Sequence, residues 1–437
     1  MQVLKFGGTS VGTPQRMKEV SRLVTADGKE KLVVLSAMSG TTNSLVEISD
    51  YLYKNNIEGA VHVIAQLEQK YMAHVEELYK SEKYKTETRT FLKSVFDGLR
   101  AMAKVHFTSF EEKIVLAQGE LMSTNMVTNY LLESGIKAIL LPALEMVRTD
   151  KNSEPDAAFI REQSRRMMEE NKGYQIYITQ GFICRNAYGD IDNLLRGGSD
   201  YTACLLGAAL EADEIQIWTD IDGMHNNDPR IVEGTVPVRQ LNFDEAAELA
   251  YFGAKILHPT CIQPAKFAGV PVRLLNTMDP TAPGTIINND FIPGKIKAVA
   301  ARDGNVCIQI TSSRMLLAYG FLRKVFEIFE QHKTSIDMIC TSEVGVSVTV
   351  DNLAHLDDIV GELKKYGTVQ VDRDMTIICV VGDLRQENKG FETLACEALR
   401  EIPVRMISYG GSNHNISFLI HKDDKKATLQ ALSKVLF

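Results

Sequence analysis

Seven cysteines are scattered through the chain without one CxxC pair, and no Cys/His group has the spacing of zinc ligands. That excludes a zinc-finger scaffold and points to reduced, mainly buried thiols in a reducing compartment. No uninterrupted apolar stretch is long enough to span a bilayer. Residues 2–6, Gln2-Val3-Leu4-Lys5-Phe6, begin a strand rather than a signal peptide. Positive charge is also short: 48 Lys plus Arg stand against 56 Asp plus Glu, a net charge of −8, with no basic run. Neither a nucleic-acid nor a membrane-surface partner finds support in that balance. The expectation is a cytoplasmic chain. What is present is ordinary for a globular protein, at 45% hydrophobic and 24% charged residues, and 437 residues suit two or three domains.

Short apolar runs alternate with helical patterns to about residue 297, the signature of an α/β domain with a largely parallel sheet flanked by helices. Residues 3–6 predict the first strand and residues 32–35 the second; later strands are expected at 138–141, 175–179, 214–219 and 270–275. Thr13 predicts a helix cap with Pro14 at the first position, where a missing N–H costs nothing, and Met17, Val20, Leu23 and Val24 share one face. Residues 57–134 read as helical, interrupted by the small polar patch 118–124. Beyond Pro293-Gly294 the order is βαββαβ over 306–371, and it recurs more weakly over 376–436. The doubling predicts two small ferredoxin-like domains, with strand exchange between them left open.

Four segments carry candidate chemistry. In Lys5-Phe6-Gly7-Gly8-Thr9-Ser10, glycines directly after a strand let backbone N–H groups approach a polyphosphate, and Lys5 supplies a point charge; a simple tight turn is the alternative. No Gly-Lys-Ser/Thr follows, so this is not a Walker A loop. Arg196-Gly197-Gly198-Ser199-Asp200 opens a helix and suits an anion, with Arg196 able to grip a carboxylate through two hydrogen bonds; a plain cap by Ser199 or Asp200 is the alternative. Residues 219–230, from Thr219-Asp220 to Arg230, read as a polar turn with Asx chemistry, or as a metal loop without EF-hand spacing. In residues 252–259, His258 before Pro259 reads as structural, and Lys255 as either a solvated charge or a phosphate contact.

Taken in order, KFGGTS, LSAMSGTTN, QGELMST, RGGSDYT, TDIDGM…NDPR, FGAKILHP, TSEVGVSVTVD and SNHNISFL resemble the amino-acid kinase family, in its monofunctional aspartate kinase branch, essentially end to end. The resemblance implies an amino-acid kinase fold at 1–297, then ACT domains at 298–374 and 375–437. It implies transfer of the ATP γ-phosphoryl group, with Mg²⁺, to the β-carboxylate of L-aspartate. The product, 4-phospho-L-aspartate, opens the route to lysine, threonine and methionine. Lys5, Gly7, Gly8 and Ser10 are then expected to cradle the phosphates, with Asp200 orienting Lys5. Thr219, Asp220, His225, Arg230 and Lys255 are expected to hold the nucleotide. Ser36, Thr42, Glu120, Arg196, Ser199 and Asp200 are expected to form the aspartate pocket, Arg196 for the α-carboxylate and Glu120 for the ammonium. No strong general base is needed, because a carboxylate of pKa about 4 is already ionised at neutral pH.

Two positions depart from the family pattern, Leu194-Leu195 where relatives carry Leu-Gly and His225 where they carry tyrosine. Altered ATP contacts are expected there. In the second half the resemblance implies an amino-acid effector site, for lysine or threonine, at Met315, Gly320, Phe321, Leu322, Ser335, Asp337, Thr341 and Ser342 between paired domains of a homodimer or tetramer. Leu317 and Ala318 are apolar where lysine-sensitive relatives are polar. The competing reading is an amino-acid sensor with a degenerate kinase domain; Lys5, Arg196, Asp200 and Lys255 together argue against it.

Overall fold

The computed structural model describes residues 1–194, 197–253, 257–312, 319–385 and 387–437. They form two compact units, one from Met1–Met224, Arg239–Phe243 and Ile256–Asn289, the other from His225–Val238, Asp244–Lys255 and Asp290–Phe437. Arg196, Lys255 and Met315, with Leu195, Leu317 and Ala318, lie outside the described residues. Among the described residues no helix is long and apolar enough to cross a membrane.

The first unit is built on β1 (Gln2–Phe6), β2 (Lys31–Leu35), β3 (Ala138–Leu140), β4 (Ile176–Gln180), a hairpin of β5 (Ile183–Arg185) and β6 (Ile191–Asn193), then β7 (Glu214–Thr219), β8 (Gln240–Asn242), β9 (Val272–Asn276) and β10 (Thr285–Asn288). Eight of these make one sheet in the order β3-β4-β2-β1-β7-β9-β10-β8. Every pairing in it is parallel except β9 with β10. All five residues of β2 and of β4 are buried, as parallel strands covered on both faces require. The expected Thr13 cap forms: its hydroxyl accepts the Arg16 N–H, and Met17, Val20 and Val24 are buried. The helical section resolves into Ile57–Leu78, Glu82–Met102 and Ser109–Glu133. Its polar patch does not interrupt the last helix. Gly119 faces inward instead, where an added Cβ would sit 2.7 Å from the Ala37 Cβ.

The second unit carries β11 (Ile296–Thr311), β12 (Ile339–Thr341), β13 (Gly345–Val350), β14 (Thr368–Gly382), β15 (Val404–Tyr409) and β16 (Asn415–His421) in the order β12-β13-β11-β14-β16-β15. Helices Phe321–Gln331, Leu356–Leu363, Phe391–Ala398 and Lys425–Leu436 pack on it over two apolar cores. The first expected repeat ends at 371 and the second begins at 376, yet one strand, β14, runs through both. Among the described residues the weaker second repeat has no last strand of its own. The start of β11 takes that place, with Ile296 opposite Gly382 and Arg302 opposite Ile377. The boundaries expected at 297/298 and 374/375 therefore fall inside β11 and β14. Segments 225–238 and 244–255 are part of this unit: Val299 N–H donates to the Asn226 carbonyl at 2.8 Å, and Val232 joins its core.

Candidate active site

Loops leaving the carboxyl ends of β1, β2 and β4 are tied together by their backbones. Ser36 N–H donates to the Phe6 carbonyl at 3.1 Å, Ser39 N–H to Gly8 at 3.1 Å, and Gly181 N–H to Leu35 at 2.9 Å. In a parallel α/β sheet this edge is where ligands bind. Gly8 is needed for the approach itself, because a Cβ there would lie 2.8 Å from the Ala37 carbonyl oxygen, closer than real contacts allow. Gly8→Ala must push these loops apart. A roughly tenfold loss of affinity for a polyphosphate ligand is expected, and a binding titration that left the affinity unchanged would show the approach to be dispensable.

A cavity of about 440 Å³ opens at this edge, lined among others by Lys5, Gly8, Ser36, Thr42, Glu120, Ser199 and Asp200. Lys5 Nζ lies 2.7 Å from Asp200 Oδ1, and both side chains are nearly buried, at 12% and 13% exposure. Two helices start at the cavity, Thr41–Tyr53 after Gly40 and Gly198–Ala209 after Gly197. Both glycines are left-handed, and neither start is capped by a side chain. Ser199 and Asp200 are thus not the cap; the Thr41 N–H turns back to the Met38 carbonyl at 2.9 Å, and the positive dipole ends of both helices favour an anion in the cavity. Gly197 also admits Cys261 and His258, which an added Cβ would meet at 2.7 and 2.9 Å. His258 is a packing residue of this turn.

Glu120 points into the cavity from Ser109–Glu133, 4% exposed, with Oε1 accepting the Ala37 N–H at 3.0 Å. Burial pushes its pKa up to about 7, against the pull of that N–H. Its helix is pinned beside the β2 loop by Ser123, whose hydroxyl donates to the Ser36 carbonyl at 2.8 Å. Thr124 accepts from Gln180 Nε2 at 3.0 Å.

Other expected residues lie elsewhere. The Ser10 hydroxyl is buried against that of Thr277 at 2.8 Å, and Gly7 is not among the cavity's lining. Thr219 ends β7 with its hydroxyl donating to Asp220 at 3.0 Å. In the second unit Arg230 is paired with Asp228 at 2.7 Å, which also accepts the Arg230 N–H, and His225 Nδ1 lies 3.1 Å from the Thr235 hydroxyl. The Asx-turn reading fits these bonds.

The effector candidates also fall in that unit. Gly320 is left-handed before Phe321–Gln331, Phe321 is buried, and Leu322 and Ser335 are exposed. Thr341 ends β12, and Ser342 turns back on the Gly345 carbonyl. Asp337 has a buried side chain held by Arg302 at 3.0 Å and by the Tyr251 hydroxyl at 2.5 Å. Burial raises its pKa.

Sequence reasoning missed Phe182 and Lys70. Phe182 has φ +67 and lies against Gly198, whose added Cβ would meet the ring at 2.6 Å; only its place after β4 signalled it. Lys70 reaches the Ser39 carbonyl at 2.9 Å from Ile57–Leu78, and nothing in its local sequence signalled that.

A parallel sheet with a lysine at the end of a central strand and two uncapped helix starts around one cavity defines an enzyme that handles anionic, phosphorylated reactants. Residues 1–276 match the model of the amino acid kinase family, and residues 378–436 match an ACT domain model. The chain belongs to the amino acid kinase family, in its aspartokinase branch. It is 33% identical to lysine-sensitive aspartokinase 3 of Escherichia coli, covering 100% of this chain and 99% of that protein. It is 34% identical to the chloroplastic aspartokinase 3 of Arabidopsis thaliana, covering 100% and 81%. The crystal structure of E. coli aspartokinase III in complex with aspartate and ADP, in the R-state, matches with a TM-score of 0.86 at 32% identity over the whole of both chains. The T-state of that enzyme, with lysine and aspartate, matches at 0.83 and 33%, again over the whole of both.

Proposed function

We propose that the chain transfers the γ-phosphoryl group of ATP to the β-carboxylate of L-aspartate, giving 4-phospho-L-aspartate. The observation that carries this is the Lys5–Asp200 pair in a cavity shared by two uncapped helix starts and the buried Glu120. Two anionic reactants must meet, and the positive helix starts and Lys5 answer their charge. Glu120 answers the one positive group, the ammonium of aspartate; Arg196 takes the α-carboxylate, with Ser36, Thr42 and Ser199 as neutral donors. Gly7, Gly8, Ser10, Thr219, Asp220, His225, Arg230 and Lys255 serve the nucleotide. The aspartate carboxylate is already a nucleophile, so catalysis is positioning and charge neutralisation.

Among the described residues, no trio of carboxylate or imidazole ligands lines the cavity. That suits Mg²⁺ carried on the nucleotide phosphates, where it screens their charge, rather than an ion caged by protein. The catalytic domain is residues 1–297 and the regulatory domains 298–374 and 375–437, the last completed by the start of β11. An amino-acid effector, lysine first, binds around Met315, Gly320–Leu322, Ser335, Asp337, Thr341 and Ser342, in a homodimer or tetramer paired through the ACT domains. Its ammonium must compete with Arg302 and Tyr251 for Asp337. A cytoplasmic setting suits the seven free cysteines.

An ATP-dependent hydroxamate assay, which traps the acyl phosphate, tests both halves of this reading when run with aspartate and with glutamate, each with and without lysine or threonine. Turnover is expected with aspartate and at most a few per cent of it with glutamate. Lysine is expected to suppress the rate. Equal rates on both substrates would remove the aspartate assignment, and indifference to both effectors would remove the regulatory one.

A further inference from the structure

Far from the cavity's residues in sequence, the second unit gathers His332, His355 and Asp358, each offering one ligand atom, with all three atoms within 4.8 Å of one another. Among the described residues this is the one such group of three. His332 follows the last turn of Phe321–Gln331, His355 precedes the first turn of Leu356–Leu363, and Asp358 stands inside that turn. The two imidazole rings are 5.6 Å apart with planes at 38°, and an Asp358 oxygen lies 3.8 Å from His355 Nδ1. Glu362, on the same helix as Asp358, meets His332 Nε2 at 2.8 Å.

We propose that His332, His355 and Asp358 form a binding site for a divalent transition metal of the zinc class, with Glu362 as the outer carboxylate that orients the His332 ring. Two imidazole nitrogens and one carboxylate make a borderline ligand set that suits zinc and its neighbours, where magnesium and calcium prefer oxygen alone. Metal bonds of about 2.0–2.2 Å place neighbouring ligand atoms about 3–4 Å apart, so the observed span closes with a modest side-chain rotation. That rotation is cheap here, because His355 is 52% and Asp358 71% exposed. A carboxylate hydrogen-bonded to a ligating histidine is the usual outer arrangement of such sites. A bound ion joins the end of one helix to the start of the next, across a single layer of the unit. No kinase residue takes part, so the site acts on the stability of this unit and not on the chemistry of transfer.

The experiment uses the full chain, stripped with a chelator and titrated with zinc chloride alone, without nucleotide. Calorimetry gives the number of zinc ions bound, and a melting curve gives the shift. Wild type is expected to bind one zinc ion more than either His355→Gln or Asp358→Asn. Its melting temperature is expected to rise by roughly 5 °C at about a hundredfold excess over Kd, a rise both variants lose. Both substitutions are at exposed positions, so the zinc-free kinase rate is expected to stay within about twofold of wild type. Equal zinc stoichiometry and affinity in wild type and both variants would overturn the site. So would a wild type that binds no zinc, leaving three ordinary surface groups.

Discussion

Lys5→Met is expected to lower kcat/KM about a thousandfold, the scale of losing a main electrostatic partner of a transferring phosphoryl group. The same substitution is expected to cost stability, for a separate reason. Asp200 is 13% exposed and faces Lys5 at 2.7 Å, and removing the cation leaves a nearly buried carboxylate unpaired. Breaking such a pair from one side costs about 3–5 kcal/mol. The double substitution Lys5→Met with Asp200→Asn removes the orphaned charge and is expected to recover most of that stability while leaving the enzyme inactive. Urea unfolding beside steady-state kinetics separates the two effects. If the double variant regained activity, Lys5 would be a structural partner of Asp200 and nothing more. If Lys5→Met kept a rate within tenfold of wild type, the phosphate role would be lost.

The second large effect is at Glu120. Its carboxyl is buried, and burial raises its pKa from 4.5 to about 7. The sign follows from proton counting. Between about 4.5 and 7 the folded chain holds a proton that the unfolded chain has released. Stability from this group is therefore complete below about pH 4.5 and is lost as pH rises through 7, by roughly 3 kcal/mol in all. An incoming ammonium reverses the preference, because it stabilises the ionised form. Aspartate is thus expected to bind more tightly as pH rises through 7. Glu120→Gln removes both dependences and raises KM for aspartate about a hundredfold, the loss of one buried charge-assisted contact. Measuring the unfolding free energy of the free enzyme from pH 4 to 8, and KM for aspartate from pH 6 to 9, checks each. A variant whose KM stays within threefold of wild type would place the ammonium elsewhere.

Much of this was readable in the chain because it is locally encoded. Lys5, Gly7 and Gly8 directly after an apolar run announce a strand and an open turn, whatever surrounds them. The Thr13-Pro14 start of the helix Pro14–Thr25 and its apolar face follow from capping and periodicity, each set by residues within a few positions. The residues proposed for the aspartate pocket were picked out through motifs, but the electrostatics of the cavity were not. QGELMST looks like a polar break in an apolar helix, and only the packing of Gly119 on Ala37 turns it inward and buries Glu120. Likewise 225–238 and 244–255 read as kinase sequence, yet they pack with the unit that holds the regulatory sheet.

The order of elements, the glycine turns and the kinase and ACT patterns were determined by the sequence alone, since each depends on neighbours along the chain. The tertiary structure alone decided three things: that Asp200 holds Lys5, that burial raises the Glu120 pKa to about 7, and that residues 296–302 complete the second regulatory repeat. The physical reason is common to all three. An apolar run does not specify which strand it will pair with, and a charged side chain does not specify how much water it will keep; both are settled only when distant segments pack.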